Sequence, residues 1–180
     1  MNETSIHIPS ELFAPAESSH FEGIYVAGVM KAGPDLYDFA APLAWQVDVT
    51  NTGDALLVTG TVEGEAKTSC ARCVDDFAFA VTGEIEGYYV FDAESASPDD
   101  LEGDEFDVLP ESNTIDLAPL ITAALLVEFP LVPLCEEACR GLCPTCGANL
   151  NDGDCGCEPV DEEEDTPPSP FAALKGFPFE

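Results

Sequence analysis

The chain has 180 residues, enough for one domain with appendages, and 46% of them are hydrophobic, which supplies the material for a core of its own. Against that stand 36 acidic residues and five basic ones, a formal net charge of −31. Binding to a phosphate backbone needs clustered Lys and Arg, so Lys31, Lys67, Arg72, Arg140 and Lys175 give no footing for direct contact with nucleic acid. Such acidity serves solubility or salt adaptation, or it attracts a basic partner, of which ribosomal proteins are the abundant class.

In chain order, residues 1–20 read as an N-terminal segment, extended or loosely packed. Glu3, His7 and Glu11 leave no apolar run of signal-peptide length there, and no stretch approaches the roughly 18 uninterrupted apolar residues of a membrane span. The expectation is a cytoplasmic chain with no membrane partner. Order begins at residues 23–30. Leu43, Trp45, Val47 and Val49 then alternate with Ala44, Gln46, Asp48 and Thr50, the period of a half-buried strand, and residues 51–54 (Asn-Thr-Gly-Asp) make a turn. Leu56, Val58, Val62, Ala66 and Cys70 share one face of the next run, where Gly60 and Gly64 could allow a bend or a bulge. Phe77, Phe79, Val81, Ile85, Tyr89 and Phe91 repeat the alternation, with Gly83 and Gly87 in register. These aromatics read as core, not as a platform for stacking bases.

Residues 92–104 form an acidic loop, and residues 106–109 could be a short edge strand. A helix is expected over 116–129: Asp116 offers a cap, Pro119 is tolerated in the first turn, Leu117, Leu120, Ile121, Ala124 and Leu125 make a stripe, and Pro130 ends it. The fold class that follows is α+β: an antiparallel β-meander sheet covered by one helix, followed by a Cys-rich zinc-binding module and a short C-terminal helix. The corresponding division is 1–20, a β-rich domain 21–134, the module 135–157, and an acidic, Pro-rich tail 158–180 whose residues 171–175 (Phe-Ala-Ala-Leu-Lys) could form one docking helix.

The module carries the chemistry. Cys135, Cys139, Cys143, Cys146, Cys155 and Cys157 fall within 23 residues whose other apolar side chains are too few to order the segment. In a reducing compartment this density points to metal rather than to disulfides. Residues 142–147 (Leu-Cys-Pro-Thr-Cys-Gly) have the form of a zinc knuckle: two thiolates three positions apart, backbone N–H groups turned toward the sulfurs, and Gly147 free to adopt a positive φ. Cys155 and Cys157 are the natural second pair, with Cys135 and Cys139 the competing choice; spacing leaves both open. Cys70 and Cys73 lie at a hairpin between two strands, not at the strand-to-helix junction of a redox CxxC. They could complete a second four-thiolate site or be two half-buried thiols, so one or two structural zinc ions are expected. Arg72 and Arg140, beside cysteines, could lower a thiol pKa or neutralise a charged zinc–thiolate centre.

Four pieces resemble, in order, the YceD family, the large-ribosomal-RNA accumulation proteins of bacteria and plastids: Cys70-Ala-Arg-Cys73, Ile115-Asp116-Leu117, the stretch from Pro133-Leu134-Cys135 through residues 141–151 (Gly-Leu-Cys-Pro-Thr-Cys-Gly-Ala-Asn-Leu-Asn), and residues 170–175. The cysteine-rich form is similar to members from high-GC Gram-positive bacteria; Phe171 departs from the more charged segment of many members. The resemblance implies a non-enzymatic role in synthesis, processing or stability of large-subunit (23S) ribosomal RNA, with zinc as an accessory to a shared β domain. On that reading segments 92–104 and 158–165 engage a basic ribosomal protein or a large-subunit assembly intermediate. Two other classes compete: a zinc or thiol sensor or zinc store, and an RNA-processing enzyme. The enzyme would need converging acids or bases or an open metal position, whereas His7 and His20 are the only histidines and lie far from the cysteines in sequence.

Overall fold

The computed structural model describes residues 4–92 and 106–157. The acidic loop beyond Asp92 and the helix expected at 171–175 lie outside them. In chain order the elements are β1 (Ser5–His7), a 3-10 turn (Ser10–Phe13), β2 (Ser18–Tyr25), β3 (Gly28–Ala32), β4 (Asp35–Phe39), β5 (Leu43–Asn51), β6 (Ala55–Ser69), β7 (Asp76–Val90), β8 (Asp107–Val108), β9 (Thr114–Asp116) and α1 (Ala118–Glu128).

The expected helix-covered meander with a terminal helix needs correction. β5, β6 and β7 do follow one another antiparallel, but they are the centre of a seven-stranded sheet with crossovers. β2 pairs with β5, the β3–β4 hairpin joins β6 at Asp38 and Lys67 beyond the end of β5, and β8 runs parallel to β7 at Tyr89 and Val90. A separate two-stranded sheet pairs β1 with β9. β6 can take two partners on one side because it is 15 residues long and β5 only nine. One helix of 11 residues packs on β7 and leaves most of this sheet to other cover. The N-terminal segment, expected to be loosely packed, supplies part of that cover: Ile6, Ile8 and Leu12 are buried in the main core.

Glycines set the close approach of the layers. Gly60 and Gly64 make no bulge, since the β6–β7 and β5–β6 registers run without a skip. Gly60 and Gly64 of β6 lie opposite Ile85 and Val81 of β7, and Val62 and Val58 opposite Gly83 and Gly87; the room beside Gly60 and Gly64 is taken by Val47 and Leu43 of β5. α1 then seats on the two glycines of β7: a Cβ at Gly83 would meet the Ala124 carbonyl carbon at 2.9 Å, and one at Gly87 would meet Leu120 Cδ1 at 2.7 Å.

The same helix aims the chain at the cysteines. The residue that caps its start is Leu117 rather than Asp116, which closes β9 one position earlier; the Asp116 carboxylate accepts the Ala118 N–H at 3.0 Å and the Thr4 hydroxyl at 3.1 Å. The helix stops at Phe129, extended ahead of Pro130. Phe129 stacks on Tyr37 of β4 at 3.9 Å, and the Tyr37 hydroxyl donates to the Pro130 carbonyl at 3.2 Å. With the exit pinned in this way, residues 131–134 run to the turn between β6 and β7.

Candidate metal centres

β6 and β7 end in register at Ser69 and Asp76, so residues 70–75 must reverse the chain. They do so in a turn closed by Cys70 N–H to Asp75 O and Val74 N–H to Cys70 O, both 2.9 Å, with Val74 at φ 65°. The turn points the buried thiols of Cys70 and Cys73 to one side. Ala71 N–H donates to Pro133 O at 2.8 Å, which docks the incoming segment on this turn and delivers Cys135 and Cys139. The four sulfurs lie within 4.8 Å of one another, Cys70 to Cys139 and Cys73 to Cys135 each at 3.7 Å. The group straddles the boundary expected at residue 134.

Arg72 staples this group together. Its guanidinium donates to the carbonyls of Cys139 at 3.0 Å and Glu137 at 3.3 Å, and its own carbonyl accepts the Leu142 N–H at 3.1 Å. Gly141 passes so close that a Cβ there would stand 3.0 Å from that carbonyl, at a φ of 74°. The Arg72 guanidinium therefore positions backbone, and it is the residue's own N–H that points at the Cys70 sulfur, at 3.5 Å. Arg140 pairs instead with Asp154, across the second loop.

The second group is Cys143, Cys146, Cys155 and Cys157, again with all sulfurs within 4.8 Å. The knuckle closes through Gly147 N–H to Cys143 O and Cys143 N–H to Ala148 O, both 2.8 Å, with Gly147 at φ 73°. Gly156, at φ 74°, makes the corresponding bend between Cys155 and Cys157. Cys143 is buried; the other three are exposed. Two asparagines of the second cysteine loop, not singled out as functional from the sequence, tie the groups together. Asn149 donates to Asp75 of the hairpin turn at 2.6 Å, and Asn151 donates to Cys139 Sγ at 3.3 Å while accepting the Arg140 N–H at 2.7 Å. Their signal was present in the sequence, two short amides flanking Leu150 inside a cysteine loop, but their targets are set by the tertiary fold. His7 and His20 belong to neither group; they sit beside Thr114 and Asp48.

Each group contains one sulfur primed to ionise and at least one held back. Burial raises the Cys70 pKa, but backbone N–H groups of Cys135, Cys73 and Arg72 outweigh it and bring the thiol down to about 6. Cys143 is likewise lowered to about 6, by the N–H groups of Cys146 and Thr145 and by the Cys155 thiol. Although the Asp75 N–H favours its thiolate, burial and the neighbouring thiols push Cys73 up to about 12, and Cys157 rises to about 12 beside Cys146 and Cys155. Burial and Cys139 also raise Cys135. Four adjacent sulfurs ionise together only around a cation.

The donor geometry fits one. A tetrahedron of sulfurs about 2.3 Å from a zinc ion has edges of about 3.8 Å, close to the 3.7 Å separations observed. A disulfide would need about 2.05 Å, and all eight cysteines are free thiols. The two four-cysteine groups could therefore hold a metal ion such as zinc.

Comparison with known proteins gives a consistent result. A family model described as "Large ribosomal RNA subunit accumulation protein YceD" matches residues 58–178, which include all eight cysteines. An uncharacterized protein of Mycobacterium tuberculosis is 34% identical over 113 residues, 63% of this chain and 54% of that protein. A chloroplastic YCED homolog 1 of Arabidopsis thaliana, named as a large ribosomal RNA subunit accumulation protein, is 29% identical over 177 residues, 85% of this chain and 53% of its own length. The Zea mays protein of the same name is 26% identical over 144 residues, 66% of this chain and 49% of that one. The chain thus spans about half the length of the curated relatives it matches. No solved structure matches it.

Proposed function

Since this chain belongs to the YceD family of large ribosomal RNA subunit accumulation proteins, we propose that it is a non-enzymatic cytoplasmic factor that supports accumulation of 23S ribosomal RNA through protein contacts, its two cysteine groups each holding a structural zinc. The observation that carries the structural reading of the metal is that each group offers four thiols and no other ligand type. Zinc held by four thiolates is closed to substrate, so its contribution is to order the module. Cys70, Cys73, Cys135 and Cys139 would hold one ion, and Cys143, Cys146, Cys155 and Cys157 the other. The direct partner is a basic ribosomal protein or an assembly intermediate, drawn by the net charge of −31. Among the described residues no helix is long and apolar enough to cross a membrane.

A second reading, a zinc or thiol sensor, is favoured by the exposure of Cys146, Cys155 and Cys157. One experiment separates the two. Cells depleted of the protein should accumulate less large-subunit ribosomal RNA, and a full-length tagged copy should restore it and pull down a basic ribosomal protein at low but not high salt. Failure of a Cys155→Ser/Cys157→Ser copy to restore it even without peroxide supports scaffolding by the zinc. Normal ribosomal RNA on depletion, with zinc or peroxide tolerance lost instead, would establish the sensor.

A further inference from the structure

β7 is paired unequally. β6 accompanies it from Asp76 to Val90, but on its other side β8 reaches only Tyr89 and Val90, so among the described residues the edge from Asp76 to Tyr88 carries no partner strand. A long open edge is a template for another chain. α1 runs beside it and leaves a groove of about 330 Å³ along the edge, lined by Glu84 and Glu86 of β7 and by Leu120, Ala123, Val127 and Glu128 of α1. Apolar surface continues past the helix: Val127 is 81% exposed and Leu131 99%.

The two sides of the edge differ in chemistry. Gly83 and Gly87 turn toward the helix, as their contacts with Ala124 and Leu120 show, so Glu84 and Glu86 lie on the opposite, solvent face. A strand laid along β7 would place alternate side chains beside the helix and beside the glutamates. A second copy is disfavoured, since antiparallel pairing of two β7 edges brings like charges together. The chain's own tail is disfavoured as well: it is acidic over 161–165 and carries Pro167, Pro168, Pro170 and Pro178, which donate no backbone hydrogen bond.

We infer that the edge of β7 is the docking site for an extended segment of a basic protein in which Lys or Arg alternates with apolar residues, added as a further strand beside α1. The basic side chains meet Glu84 and Glu86, and the apolar ones meet Leu120, Ala123 and Val127. This rests on the reading that the protein acts through a basic partner and gives that partner its place.

The test uses the full-length, zinc-loaded protein and two synthetic peptides of one composition, one alternating Lys and Val, the other with Lys and Val in separate blocks. The alternating peptide should bind more tightly and should slow amide hydrogen exchange within residues 77–88. Glu84→Lys with Glu86→Lys, both at exposed positions, should weaken it about tenfold, and Val127→Ser should weaken it without altering the fold. Equal binding of both peptides with no protection of 77–88 overturns the edge as the site while leaving a basic partner possible elsewhere. Absence of binding by either peptide also overturns it, and the pull-down from cells then decides separately whether the basic-partner reading stands.

Discussion

The sulfur of Cys70 lies 3.7 Å from the sulfur of Cys139, 69 positions later in the chain. The contact joins the end of a β hairpin to the cysteine-rich segment, so the first group couples sheet and module. Replacing Cys139 with Ser should therefore loosen both: the chain should lose one zinc and several kcal/mol of stability, a part of the roughly 10 to 16 kcal/mol apparent for structural zinc. Trp45, the only tryptophan and 4% exposed, makes its fluorescence a direct readout of unfolding of the sheet. Cys157→Ser should lose the other zinc and leave the Trp45 transition nearly unchanged.

The two ions should also leave in order. Cys70, Cys73 and Cys139 are buried, whereas Cys146, Cys155 and Cys157 are open to a chelator. Release to a coloured chelator should show a fast and a slow phase of equal amplitude. The fast phase should be missing in Cys157→Ser and the slow phase in Cys70→Ser; one uniform phase in the intact protein would contradict the assignment.

Gly83→Ala should destabilise the fold by about 1 to 3 kcal/mol. The added methyl would stand 2.9 Å from the backbone of Ala124, an atom that moves only if the whole helix moves. Denaturant unfolding followed at Trp45 gives the value, and metal content should stay at the wild-type level.

Stability should fall in alkali through Tyr89. Burial, with Asp107 and Asp116 adding, pushes its pKa up to about 12 from 10.0. In that window the unfolded chain has already lost the phenolic proton and the folded chain retains it, so the contribution is complete below pH 10 and is lost as pH rises toward 12. Tyr89→Phe should flatten this alkaline slope in thermal unfolding measured against pH.

The three long strands were legible because their faces alternate over most of their length, although Leu57 interrupts the polar side, and Gly83 and Gly87 could be seen to share the buried face. What they were for could not, since α1 begins only at Ala118, well beyond the end of β7 at Val90, and its fit depends on Leu120 and Ala124. The β3–β4 hairpin had a short signal, the Gly33-Pro34 turn, but strands of five residues carry too little periodicity to stand out. Ile6, Ile8 and Leu12 suffer likewise: three apolar residues in a polar segment state no partner. Among the cysteines, the knuckle at Cys143 and Cys146 is local and could be read directly. The grouping of Cys70 and Cys73 with Cys135 and Cys139 depends on the Pro133 carbonyl meeting Ala71, a contact across the fold that spacing does not encode.

Native mass spectrometry of the full-length protein, purified without added metal under reducing conditions, tests the central claim most directly. The account predicts a single species carrying two zinc ions per chain, each in place of two protons, and no disulfide. A metal-free species eight hydrogens lighter than the reduced chain, its cysteines joined in four disulfides, would contradict it.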